Sequence, residues 1–128
     1  MPAIVNYLLH LATAATLVIT FFAIYTRLTP FNEVALIRAG NHAAALSLGG
    51  ALIGFALPVA SALMHTSSYL QFLGWAAGSM LVQVLAYNIA TRLLRMSKDQ
   101  IEADNSAFGG LLGTISIAIG LINAGSVS

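Results

Sequence analysis

The chain carries no Asp, Glu, Lys or Arg before Arg27, and none between Arg38 and Arg92. A soluble surface is built from charge. Here 59% hydrophobic residues stand against 7% charged ones, where a soluble domain carries roughly 25% charged. Runs of this length without charge belong in lipid. Lipid offers no partner to a backbone N–H or C=O, so each run must satisfy its own polar groups as a helix.

Crossing the hydrocarbon takes about 20 residues. Ile4–Tyr25 supplies a first span, and no basic segment precedes it of the kind that opens a secretory leader. The run between Arg38 and Arg92 is long enough for two spans. Its one polar cluster, His65-Thr-Ser-Ser68, divides it into a second span near Asn41–Met64 and a third near Tyr69–Thr91. A fourth runs from about Ser106 to Val127. The expected fold is all-α, a single membrane domain over residues 1–128 with four transmembrane helices.

All five basic residues fall in two loops, Arg27 and Arg38 in the first and Arg92, Arg95 and Lys98 in the third. The positive-inside rule puts those loops in the cytoplasm and both termini outside it. The acids Glu33, Asp99, Glu102 and Asp104 share that side and weigh little in the rule. Thr29-Pro30 reads as a helix cap followed by proline at the first helical position, with Gly40 as the stop. Ser97-Lys-Asp-Gln100 fits a capping box. Each loop is therefore expected to hold a short interfacial helix.

The chain also repeats itself. Ile37-Arg-Ala-Gly-Asn41 is echoed by Ile101-Glu-Ala-Asp-Asn105, and Thr26-Arg-Leu28 by Thr91-Arg-Leu93. The expected units are residues 4–64 and 69–127, two spans each, hence parallel and related by a pseudo-twofold axis along the membrane normal. The Thr-Arg-Leu turn, the Gly-Asn41-x-Ala-Ala-Ala-x-x-x-Gly-Gly passage and the Asp-Asn105-x-Ala echo resemble the YjfL-like family of bacterial inner-membrane proteins. That resemblance implies tandem two-helix units and four helices in a bacterial inner membrane. It implies no activity and no catalytic residues.

The second and fourth spans are rich in small residues. Gly49, Gly50 and Gly54 in one, and Gly109, Gly113 and Gly120 in the other, are candidates for close helix packing. A pore lined by small residues is the alternative, and the packing can lie within a subunit or between subunits. The bulky side chains Phe21, Phe22, Phe72, Trp75 and Tyr87 sit in the first and third spans and are expected to face lipid or partners. Tyr25 and Tyr69 read as interfacial anchors. Pro58 lies inside the second span, frees the carbonyl of Gly54 and should kink that helix, structurally or as a gate.

Asn6, His10, Thr13 and Thr20 share one stripe of the first span, a possible polar pathway. His10 is open to three readings: a neutral bonded imidazole, a proton or ligand site, or a metal ligand short of partners. Gln83 is placed for an interhelical hydrogen bond. Asn41 and Asn105 stand where the second and fourth spans begin, as caps or as parts of an anion or headgroup site near Arg38.

With no cysteine, no acid inside a span and no nucleophile–base pair, nothing points to catalysis, a cofactor or a metal. No basic cluster is dense enough for nucleic acid. The expectation is a noncatalytic inner-membrane protein in the lipid bilayer, a homo-oligomeric scaffold or accessory subunit whose charged loops meet a cytoplasmic protein partner. A small oligomeric ion channel or transporter is the alternative.

Overall fold

A computed structural model describes residues 3–29, 31–93 and 97–127, without the side chains of 91–93 and 97. They form α1 (Ala3–Leu28), α2 (Glu33–Arg38), α3 (His42–His65), α4 (Tyr69–Leu93), α5 (Ser97–Glu102) and α6 (Ser106–Ser126). The four long helices α1, α3, α4 and α6 are each apolar and long enough to cross a membrane. The shortest of them, α6, has 21 residues and measures roughly 30 Å at 1.5 Å per residue. Helices α2 and α5 sit together at one end of the bundle, where α2 packs on α3, and α5 on α6 and α3.

Helix α3 is the centre of the bundle and α1 its margin: 56% of the α3 span is buried, against 6% of α1. The reason is the pairing of α3 with α6. Contacts climb both helices together, from Ala43 with Gly109, through Gly50 with Gly113, to Gly54 with Gly120, so the two run parallel. The Ser61 hydroxyl closes the far end of the seam by donating to the Ala124 carbonyl at 2.6 Å. A Cβ added at Gly50, Gly54, Gly109, Gly113 or Gly120 would collide with backbone atoms of the opposite helix. Backbones this close gain dispersion and Cα–H···O contacts, the attractions available where lipid removes the hydrophobic drive.

Gly49 departs from the expected packing set, because a Cβ there would meet nothing within 4 Å. It faces away from the seam, one position from Gly50 and about 100° around the helix. Pro58 is buried within an α3 that runs unbroken from His42 to His65. The Gly54 carbonyl, which Pro58 cannot bond, abuts Gly120 across the seam.

The large aromatic side chains overturn an expectation. Phe21, Phe72 and Tyr87 are buried, and only Trp75 of the five bulky residues is well exposed, at 40%. Phe21 stacks on Phe55 with ring centroids 4.7 Å apart, filling the space between α1 and α3. Small residues bring α3 and α6 together, and aromatic bulk fills the wider gap left to α1 and α4. Tyr25 is likewise no interfacial anchor, being 2% exposed.

The loop helices are set by local chemistry. The cap of α2 is Asn32, whose Oδ1 accepts from the Ala35 N–H, and not Thr29; Pro30 lies outside the described residues. Helix α2 stops at Gly40, with φ of +89°, where Gly40 N–H reaches the Ile37 carbonyl and Asn41 N–H that of Leu36. That is the paired hydrogen-bond pattern that ends a helix in a left-handed residue. Helix α5 ends the same way: Asp104 N–H donates to Ile101 and Asn105 N–H to Gln100, with Asp104 at φ of 58°. The capping box expected at Ser97 involves a side chain outside the described residues. Gln100 meanwhile accepts from the Asn105 side-chain amide at 2.6 Å.

Candidate functional site

Two polar regions lie at opposite ends of the bundle. At the end away from α2 and α5, Asn6, His10, Thr66, Ser67 and Tyr69 help line a cavity of about 350 Å³ between α1 and the α3–α4 turn. The His10 Nδ1 lies 2.8 Å from the Asn6 carbonyl, which only accepts, so that nitrogen carries a proton. The ring stands edge-on to Tyr69, with centroids 5.5 Å apart. Thr13 donates to the Leu9 carbonyl at 2.7 Å, which leaves Tyr69 to donate to Thr13, also at 2.7 Å.

The stripe on α1 does not continue inward. Thr20 is exposed and returns its hydroxyl to the Thr16 carbonyl, while the next buried positions are Phe21 and Tyr25. Near mid-bundle Gln83 donates to the Ser116 carbonyl at 3.3 Å, an interhelical bond, and its buried Oε1 has no hydrogen-bond partner among the described residues. Among the described residues no group of three or more His, Asp or Glu could hold a metal ion.

At the α2/α5 end the two asparagines cap their helices. The Asn41 Oδ1 accepts from the Ala44 N–H at 2.8 Å, and its amide donates to the Ile101 carbonyl at 2.7 Å. The Asn105 Oδ1 accepts from the Phe108 N–H at 3.2 Å. The start of α3 does not offer an open anion site, because Asp104 already occupies it. Its Oδ1 accepts from the Ala43 N–H at 2.9 Å, and its Oδ2 lies 3.4 Å from His42 Nδ1. The Ala43 N–H, followed by the His42 contacts, holds the Asp104 carboxyl below its ordinary value.

Beside these caps lies a cluster that sequence reasoning missed. Tyr25 of α1, Ser47 of α3 and Tyr87 of α4 form a buried hydroxyl chain, with Tyr25 to Ser47 at 3.2 Å and Ser47 to Tyr87 at 3.3 Å. The tyrosine ring centroids are 4.5 Å apart. The Glu33 carboxyl, on α2, lies close enough for its charge to act on both phenols. Glu33 is 1% exposed, and neither carboxyl oxygen has a hydrogen-bond partner among the described residues. Burial pushes its carboxyl from 4.5 up to about 7, against a smaller opposing pull from the Thr29 hydroxyl. Nothing local in the sequence marks Glu33 apart from Glu102. Both lie on a short loop helix with apolar residues close by, Phe31 and Val34 for one and Ile101 and Ala103 for the other.

The chain matches the family described as Domain of Unknown Function (DUF350) over residues 1–127. It is 32% identical over 108 residues to the UPF0719 inner membrane protein YjfL of Escherichia coli (strain K12), covering 84% of this chain and 82% of that protein. It is 27% identical over 120 residues to the UPF0719 transmembrane protein YshE of Bacillus subtilis (strain 168), covering 92% and 90%. No solved structure matches. With four helices suited to crossing a membrane and a match along nearly its full length, the chain belongs to the DUF350 family and is a polytopic membrane protein.

Proposed function

We propose that this protein is a noncatalytic, oligomer-forming subunit of a bacterial inner membrane, with α2 and α5 on the cytoplasmic side and both termini outside it. The observation that carries this reading is an open groove beside the α3–α6 seam. Ala45, Leu46, Gly49, Ile53, Gly110 and Thr114 help line about 290 Å³ of it. Gly50, Gly54, Gly109, Gly113 and Gly120 are spent inside the protomer, whereas Gly49 and Gly110 present bare backbone outward. A small-residue trough facing lipid accepts a second helix closely, and a second copy of this chain is the occupant proposed. The charged loop helices remain available to a cytoplasmic protein.

Sequence echo and geometry both favour duplication of a two-helix unit. Helices α2 and α5 end in the same left-handed turn, and each is followed by an asparagine cap and a parallel spanning helix.

The natural absence of cysteine makes the test direct. In native membranes, Ile53→Cys should form interchain disulfides. Ile122→Cys, more exposed at 71% against 52%, should not. Equal cross-linking at both positions, or none at Ile53, overturns the groove as an assembly surface. Gly49→Leu should dissociate the oligomer with the protomer intact, and Gly50→Leu should prevent the protomer from folding.

The channel or transporter reading has one observation in its favour, the buried carboxyl and hydroxyl cluster at one end with a polar cavity at the other. The stacked Phe21 and Phe55 lie in the core between them, so a conducting path would run between subunits. Reconstituted protein showing His10-dependent ion flux would favour this reading over the scaffold.

A further inference from the structure

A carboxyl group buried without hydrogen-bond donors needs a counter-charge or a proton. Born solvation makes an isolated carboxylate in an apolar interior far more costly than its neutral acid. Glu33 meets that description, at 1% exposure with both oxygens unpartnered among the described residues. Its charge reaches two phenols at that end of the bundle. Helix α1 presents Tyr25, α4 presents Tyr87 and α3 presents Ser47, joined as one chain of hydroxyls. On its own segment the Thr29 hydroxyl, which pulls weakly against the effect of burial on the carboxyl, has one proton to share with the Thr26 and Phe31 carbonyls at 3.3 and 3.2 Å. Among the described residues no Lys or Arg forms an ion pair with Glu33; the one ion pair seen is His42 with Asp104.

We propose that Glu33, buried at the α2/α5 end within reach of the Tyr25–Ser47–Tyr87 hydroxyl chain, is a reversible proton-binding site that holds helix α2 against the bundle when occupied. The ligand is a single proton, taken by a carboxylate oxygen to give the neutral acid and released to the aqueous phase at the α2/α5 end. Loss of the proton leaves a negative charge buried in an apolar interior, which favours movement of α2 toward water. Helix α2 is short, six residues, and docks through few apolar side chains. Phe31 and Leu36 belong to the small cluster with Ala43, Ala44, Ile101 and Leu112. An element held this lightly can answer to one charge. The raised carboxyl value, about 7, puts the exchange within the range of cytoplasmic pH. This site is independent of the oligomer proposed above, so either can fail without the other.

The chain has only four acidic side chains, Glu33, Asp99, Glu102 and Asp104, which allows assignment by elimination. Infrared difference spectra of the full-length protein in lipid nanodiscs should show one protonated carboxyl band that disappears between pH 6 and pH 8. The band should persist in the triple variant Asp99→Asn, Glu102→Gln, Asp104→Asn, and vanish in Glu33→Gln. Should Glu33→Gln fail to fold, the triple variant decides alone, since it leaves Glu33 as the one side-chain carboxyl. Labelling of Leu36→Cys, corrected for thiol ionisation, should follow the charged fraction, which for a value near 7 rises about ten-fold over this range. A triple variant without the band at pH 6 overturns the proposal. So does loss of the band at pH 6 on adding sodium or potassium chloride, which would make the ligand an alkali cation. Leu36→Cys labelling that stays flat overturns the coupling to α2.

Discussion

The chain enters its two central helices through junctions of the same design and opposite character. At the first, α2 ends at Gly40 and Asn41 caps α3; at the second, α5 ends at Asp104 and Asn105 caps α6. Asn41 is 8% exposed and bonded across to Ile101, whereas Asn105 is exposed and bonds back to its own loop. Asp104 accepts the strain of a left-handed non-glycine residue, and its carboxylate caps the neighbouring helix in return. Gly40 has no side chain to return that cap. The lesson is that one junction lends groups to the other: the Ile101 carbonyl and the Asp104 carboxylate both serve α3, the more buried helix.

Each loop also holds an acid with a shifted carboxyl value, Glu33 at the start of α2 and Asp104 after α5, and the two shifts are opposite. Glu33 has a raised value, so its contribution to stability is complete below about 4.5 and is lost as pH rises through about 7. The shift of about 2.5 pH units corresponds to about 3 kcal/mol. Wild-type protein should lose about that much stability between pH 4 and pH 8, and Glu33→Gln should flatten the loss in equilibrium unfolding. This is the largest effect expected. A flat wild-type profile would remove the contrast between the acids.

Asn41→Ala should cost about 2 kcal/mol, since it removes a cap and a buried bond to α5. Asn105→Ala should cost about 1 kcal/mol, a cap alone. Equal losses in urea unfolding of the two variants would break the distinction between the junctions. Gly40→Ala should cost about 1 kcal/mol, because an alanine at that positive φ crowds its own carbonyl. Gly40→Asn should cost less, and thermal unfolding of the two variants checks the order. The smallest effect belongs to Asp104→Asn. Asp104 has a lowered value, so its contribution is present above the ordinary carboxylate value and lost as pH falls through the lowered one. The variant should differ from wild type in the shape of the acid limb and match its slope between pH 6 and pH 8.

Much of this architecture was legible in the sequence, because absent charge is a direct physical statement about lipid. The spans, the stop at Gly40 and the two asparagine caps each follow from chemistry carried by a few adjacent residues. What escaped depends on how helices are placed. Gly49 and Gly50 are equivalent as a composition, and only the parallel approach of α6 decides which one meets a backbone. Tyr25 sits at the end of a span, where an anchor would sit, yet it lies one turn from Phe21 and both turn inward. Thr29 was a reasonable cap by residue type, but Asn32 is the one followed by helical residues. Glu33 reads as an ordinary loop acid until α2 packs against α3 and buries it.

All of these contrasts rest on the two junctions lying side by side within one chain. The direct test is the double variant His42→Cys with Asp104→Cys, at positions whose wild-type side chains approach to 3.4 Å. Oxidised in native membranes, it should form an intrachain disulfide in an unlinked protomer, even when diluted with excess cysteine-free protein. Disulfides found only between chains, and lost on that dilution, would place the α3–α6 seam between subunits and contradict the account.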